Sequence, residues 1–176
     1  MAGRQVGDLR GGACRKATQR CLCGWLGHPK RGCRCTPTDH ARYAARVSGP
    51  ILDRLDLQIE VPALTSAELL RASPGESSEV VRGHVLAARA RQHERGALNA
   101  MLSNATLRPH CPLDAAATRL IADAVDRSGM SARAVHRVLL VARTIADLAG
   151  DERVTTLRVA EALQYRAYES RRMASA

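Results

Sequence analysis

Phenylalanine is absent from the 176 residues, and Trp25, Tyr43, Tyr165 and Tyr168 are the whole aromatic set. A core of stacked rings is thereby excluded. With 45% apolar residues, the interior must be assembled from Leu, Val, Ile and Ala, which favours helices packed closely through small side chains. No apolar run reaches the roughly 18 residues of a membrane-spanning helix. The N-terminal stretch, broken by Arg4, Asp8, Arg10, Arg15 and Lys16, has no apolar centre of the kind a secretion signal needs. The expectation is a soluble, cytoplasmic protein with no membrane partner. Also missing is any G-x-x-x-x-G-K-[ST] run, the loop whose backbone N–H groups and Lys cradle a triphosphate, and no acidic run closes a buried strand to hold the accompanying Mg2+. The chain is not expected to hydrolyse ATP unaided.

Lysine is scarce as well, with Lys16 and Lys30 the only two, so arginine carries most of the net charge of +10. That charge is uneven. Residues 1–54 hold eleven Lys or Arg against three acids, whereas residues 55–176 hold sixteen against fourteen. A basic N-terminal part is compatible with contact to DNA phosphates, and Arg20, Arg31, Arg34, Arg42 and Arg46 are the candidates. An Arg-rich, Ala-rich composition of GC-rich coding sequence explains the same numbers.

Four of the six cysteines, Cys21, Cys23, Cys33 and Cys35, fall within fifteen residues as C-x-C-x9-C-x-C. Without a secretion signal, this pattern reads as metal before disulfide. Gly24, Gly27, His28, Pro29 and Gly32 form a turn-rich loop able to bring the two pairs together, and four thiolates on one structural Zn2+ carry a local charge of about −2. Arg20, Lys30, Arg31 and Arg34 offset that charge. Four free thiols in a loop are the alternative, with His28 read as a loop residue and Cys14 and Cys111 left without assigned partners.

Thr36-Pro37-Thr38-Asp39 predicts a helix start, with Thr36 as N-cap and Pro37 in the first turn, and a helix running to about Val47. Leu55, Leu57, Ile59 and Val61 alternate with Asp56, Gln58 and Glu60, the period-two pattern of a half-buried strand ended by Pro62. One strand cannot satisfy its own edges, so its partners are expected in another chain or another segment. Helices are expected at Ser66 to Arg71, Ser78 to Arg95, Asp114 to Ser128, Ala132 to Ala149 and Thr156 to about Tyr168, with Ser131 and Thr155 as caps and 97–112 as a connector. On the helix from Ser78, Arg82, Arg89, Arg91 and Arg95 are placed off the apolar stripe of Val81, Val85 and Ala88.

Three segments resemble the magnesium-chelatase-related AAA+ ATPases, in their competence-associated branch. They are Cys21-Leu22-Cys23-Gly24-Trp25-Leu26-Gly27 with Cys33-Arg34-Cys35-Thr36-Pro37, then Arg46-Val47-Ser48-Gly49-Pro50-Ile51-Leu52-Asp53-Arg54-Leu55-Asp56-Leu57 with Glu60-Val61-Pro62, and finally Ser131 through Gly150 followed by Val159 to Arg166. The resemblance covers about residues 21–166. It implies a mainly α fold: a remnant of the AAA+ α/β core with one strand, a Cys-rich loop at 21–35, the end of the core at 36–62, a helical connector at 63–112 and a C-terminal helical lid domain at 113–168. Residues 1–20 stand unmatched and are expected to be disordered, with 169–176 as a tail.

By the same resemblance, full-length relatives are hexameric ATP-driven motors of DNA branch migration in natural transformation. This chain reads as a C-terminal, truncated or frameshifted part of one. Arg54 then corresponds to the arginine finger that reaches a neighbouring subunit's ATP, and Arg133 and Arg137 to nucleotide-sensing arginines. ATP and Mg2+ enter only with an intact AAA+ core, and the expected partners are the family hexamer or an intact paralogue. From the residues alone, Arg54 equally reads as a partner of Asp53 or Asp56, and Arg133 as a solvated helix-start arginine. Leu140 stands where the family usually has Lys or Arg, on the same face as Arg133 and Arg137. A zinc-stabilised basic DNA-binding adaptor is the competing function.

Overall fold

A computed structural model describes residues 18–46, 54–71 and 74–166. Expectations that fall on 1–17, on 47–53 and on 167–176, among them the disordered start, Cys14 and the tail, lie outside the described residues. The described chain is mainly α. It contains α1 (Pro37–Ala45), α2 (Ser66–Arg71), α3 (Ser78–Glu94), a 3-10 turn (Asn99–Met101), α4 (Asn104–His110), α5 (Ala115–Ser128), α6 (Ala132–Ala149) and α7 (Thr156–Gln164). No described helix is long and apolar enough to cross a membrane.

Local chemistry sets most of these boundaries. Thr36 and Asp39 form a reciprocal capping box at the start of α1, and Asp114 and Ser131 cap α5 and α6 by accepting from Ala117 N–H at 2.6 Å and Ala134 N–H at 3.1 Å. Thr155 occupies the cap position of α7, but its side chain makes no capping hydrogen bond. Its neighbour Thr156 instead donates to the Asp114 carboxylate at 3.2 Å, tying the starts of α5 and α7 together beside a parallel bridge between Leu113 and Val154.

α6 is the central element, in contact with α3, α4, α7 and the 3-10 turn, while α5 packs on α7. Val138, Leu140, Ala142 and Ala146 of α6 meet Ala117 and Ile121 of α5 and Val159 and Ala162 of α7 in one apolar cluster. Small side chains at the contacts allow the close approach that a core without Phe requires. Leu140 is buried in this cluster, which accounts physically for an apolar residue at a position expected to be cationic. The expected connector is structured too: Leu102, Leu107 and Cys111 enter the same core, so the bundle takes in residues ahead of 113.

Two expectations are corrected. The alternating segment 55–61 is not a strand. Its backbone-to-backbone hydrogen bond to the bundle is Gln58 N–H donating to Tyr165 O at 2.8 Å, and Leu57, Ile59 and Val61 are 49%, 69% and 86% exposed. The pattern survives but no strand partner exists among the described residues, and an unpaired strand cannot satisfy its backbone. Secondly, Arg91 and Arg95 do not point away from the bundle. Val81 and Val85 of α3 are about half exposed, and α3 docks through its C-terminal half instead. Arg91 donates to Asp147 O at 2.9 Å, and its guanidinium lies across Gly150, which ends α6 at φ +81°; a Cβ there would sit 3.2 Å from Arg91 Nη2.

Beneath Arg91 lies a buried polar network that hydrophobic periodicity does not reveal. Asp147 is fully buried and Arg143 is 1% exposed. Arg95 grips Asp147 with both terminal nitrogens, at 2.6 and 2.5 Å, while Asn99 donates at 2.8 Å and Arg143 Nε at 3.2 Å. Arg143 also donates to the carbonyls of Glu152 and Asp151, at 2.8 and 2.6 Å, and so holds the chain as it leaves α6. Burial alone would raise the Asp147 carboxyl, but the hydrogen bonds from Arg95 and Asn99 and the two guanidinium charges outweigh it and hold the group below its ordinary range.

Because the folded state binds the Asp147 proton less readily than the unfolded chain, its contribution is present at neutral pH and fades as pH falls below the ordinary carboxylate range of about 4. Asp147→Asn leaves two guanidinium groups without their anion and is expected to destabilise the chain by about 3–5 kcal/mol. Urea unfolding followed by circular dichroism at pH 7 and at pH 3 checks both points: the gap between wild type and variant should narrow at the lower pH.

Candidate functional site

The cysteine loop folds back on itself as its glycines suggest. Gly24 and Gly27 adopt φ of +79° and +80°, and Arg20 lies so close to Gly27 that a Cβ there would be 2.5 Å from Arg20 Nη1. Arg20 is in turn held by Glu60 at 3.0 Å, which links the loop to the segment after Arg54. The two Cys pairs converge: Cys21 and Cys23 sulfurs are 3.4 Å apart, Cys21 and Cys33 3.7 Å, and Cys23 and Cys33 3.5 Å.

The residue that sequence reasoning missed at this cluster is His40. Its Nε2 is 3.1 Å from Cys33 Sγ, and donor atoms of Cys21, Cys33, Cys35 and His40 all lie within 4.8 Å of one another. The capping box explains its arrival. Pro37 and Asp39 start α1 directly after Cys35, so the first helical turn returns His40 to the sulfurs. That spacing was legible in principle, as a His one turn into a helix that begins at the last Cys. His28, by contrast, accepts the Lys30 and Arg31 N–H groups through Nδ1 at 3.1 and 3.0 Å and acts as a loop staple, as expected.

The donor set fits a sulfur-preferring divalent metal. Thiolates on a tetrahedral ion with bonds of about 2.3 Å lie about 3.8 Å apart, close to the 3.4–3.7 Å separations among Cys21, Cys23 and Cys33. The thiols also sit in unlike electrostatic settings. Backbone N–H groups of Arg34 and Trp25 pull Cys23 down to about 6. The Cys35 N–H draws Cys33 the same way, but burial and the adjoining thiols prevail and push it up to about 12. A divalent ion relieves that competition by favouring the thiolate at every position.

The arginine candidates lie elsewhere. Arg54 is exposed, and so is Arg133 in the first turn of α6. Arg137 is drawn to Asp56 at 2.7 Å, so Asp56 pairs across the fold with α6, while Asp53 lies outside the described residues. Arg166 donates to Leu55 O at 2.9 Å. These contacts bracket Arg54 from one side: the chain that follows it is moored to α6 and to the end of α7, and its own guanidinium is left in solvent.

Comparison with known proteins finds two family regions along the chain. The magnesium chelatase subunit ChlI C-terminal family matches residues 75–166, and the magnesium chelatase subunit ChlI family matches residues 14–69, starting ahead of Cys21. Similar proteins include the competence protein ComM of Haemophilus influenzae, 43% identical over 136 residues, and the uncharacterized protein YifB of Escherichia coli, 41% identical over 138 residues. These alignments cover 76% and 77% of this chain and 27% of each relative. An uncharacterized Mycobacterium bovis protein is 37% identical over 145 residues, 80% of this chain and 29% of its own length.

For the metal centre, one equivalent of Co2+ added to the reduced chain is expected to give the thiolate charge-transfer absorption of a tetrahedral site, with release of protons. Cys33→Ser, which removes the sulfur nearest His40, should abolish that absorption. A featureless titration of the wild-type chain would contradict the assignment.

Proposed function

The chain belongs to the magnesium chelatase ChlI family, and from that membership we propose that it supplies the arginine-bearing C-terminal elements of an ATP-driven AAA+ assembly without gripping the nucleotide itself. The observation that carries this reading is the mooring of the Arg54 segment. Arg137 on Asp56 and Arg166 on the Leu55 carbonyl hold that segment against the bundle, while Arg54 is exposed. An exposed ion pair contributes little stability; here its use is to set register. A guanidinium projecting from a moored segment suits insertion toward the γ-phosphate of an ATP held by a neighbouring subunit, where fingers of this kind are worth about 10³ to 10⁵ in rate.

Arg133 supports the same reading. It stands in the first turn of an eighteen-residue helix, where free N–H groups and the helix dipole favour phosphate. Arg137, one turn further along α6 and paired with Asp56 at the surface, is the second nucleotide-sensing candidate in this reading. The exposed face of Leu57, Ile59 and Val61 is where the remainder of an AAA+ core would pair. Since the chain spans only about a quarter of its relatives, the activity of the whole assembly is inferred: a hexameric motor of DNA branch migration in natural transformation, of the ComM kind, entered either as part of a longer protein or as a partner to an intact paralogue.

The metal in this reading is a structural zinc held by Cys21, Cys23, Cys33 and Cys35, with His40 hydrogen-bonded to the Cys33 sulfur. Four protein ligands leave no position for a reacting water. Its role is to fix the loop ahead of α1. His40→Ala is then expected to weaken zinc binding by about 10- to 100-fold, as for an outer-shell partner, whereas Cys23→Ser should cost far more; competition with a chromophoric chelator ranks them.

The ATPase reading is tested by mixing. An intact family ATPase whose own finger arginine is replaced by Ala should regain ATP hydrolysis when this chain is added, and the Arg54→Ala chain should give no recovery. Rescue by Arg54→Ala, or ATP turnover by the isolated chain, overturns the proposal.

A further inference from the structure

The cysteine loop has a second face. A groove of about 710 Å³ is lined by Cys23, Trp25, Arg31, Gly32, Cys33 and Arg34. Trp25 is the only tryptophan in the chain and is only half buried, outside the apolar cluster that forms the core. The Arg31 guanidinium lies 4.2 Å from the centre of its ring, and His28 meets the ring edge-on at 5.0 Å. A large aromatic surface kept out of the core, with an arginine already stacked on it and a second exposed arginine at the groove edge, is a platform for a flat π system carrying negative charge.

We propose that this groove is a contact site for single-stranded nucleic acid, with one base stacked against the Trp25–Arg31 pair and flanking phosphates met by Arg34 and Lys30. The charge balance decides in favour of stacking over simple attraction. Arg20 is engaged by Glu60, so Lys30, Arg31 and Arg34 face the charge of about −2 that a four-thiolate zinc centre leaves. The net field is only weakly positive, too weak to hold a duplex through phosphates alone. An unstacked base adds the missing affinity and selects single strands. The site requires neither ATP nor a partner subunit, so it stands or falls apart from the assembly reading above.

Trp25 provides its own reporter. Titrating the zinc-loaded full chain with oligothymidylate should quench its fluorescence, and the logarithm of the binding constant should fall with that of the salt concentration at a slope of about −1.4, the value for two phosphates on a single strand. Arg34→Gln, at an exposed position, is expected to halve that slope and leave the quenching in place. Trp25→Ala should weaken binding of a labelled oligonucleotide, read by anisotropy, by roughly 10-fold or more; unchanged zinc stoichiometry shows that the loop is still folded. Duplex DNA and polyglutamate should neither quench nor compete at equal charge. Binding without quenching, equal competition by polyglutamate, or an Arg34→Gln chain with the wild-type salt slope overturns the proposal.

Discussion

A carboxylate shut away from water has to be matched by donors at each of its lone-pair positions, and Asp147 is matched by two guanidinium groups and an amide drawn from three different elements. Arg95 comes from the end of α3, Asn99 from the 3-10 turn and Arg143 from one turn earlier on α6. Each donor is useful only if its element is in place. The network therefore specifies which end of α3 docks on α6, and it gives the otherwise apolar, small-residue bundle a unique arrangement where interchangeable Ala and Leu contacts would tolerate several. Arg143 extends that specification outward, because its grip on the Asp151 and Glu152 carbonyls aims the chain toward α7.

From that bundle, contacts of a different kind reach back to the N-terminal part. Arg166 on the Leu55 carbonyl, Tyr165 O on Gln58 N–H, and Arg137 on Asp56 fasten the segment after Arg54, and Glu60 passes the linkage on to Arg20 and the cysteine loop. Most of these contacts involve backbone groups or exposed charges and bury little apolar surface. They fix position without contributing much stability, and they leave Leu57, Ile59 and Val61 exposed. A metal at the cysteine cluster would give the loop the rigidity that it cannot draw from a core of its own.

Much of the architecture was legible residue by residue. The boundaries of α5 and α6 follow from Asp114, Ser131 and Gly150, whose capping chemistry is local and whose effect is the same in any tertiary setting. The meeting of the cysteine pairs follows from the turn-forming glycines between them. Arg91 and Arg95 were not legible, because a charged residue on a helix reads as solvated unless its partner is known, and their partner Asp147 lies more than fifty positions away; Arg143 and Asp147 have the i, i+4 spacing of an ordinary surface pair, and only packing buries them. The alternating 55–61 segment misled for the opposite reason: its periodicity describes a face suited to burial, whereas a strand also needs a neighbour.

Amino-acid order alone determined the helical class, the caps, the family and the cysteine pattern that can hold a metal, since each depends on chemistry within a few residues or on a motif read along the chain. Only the tertiary structure decided that Arg137 is taken by Asp56 while Arg54 stays in solvent, and that Asp147 is the buried anion of the bundle. Those outcomes depend on which distant groups come within hydrogen-bonding distance, and that separation is a property of packing, to which neither periodicity nor composition has access.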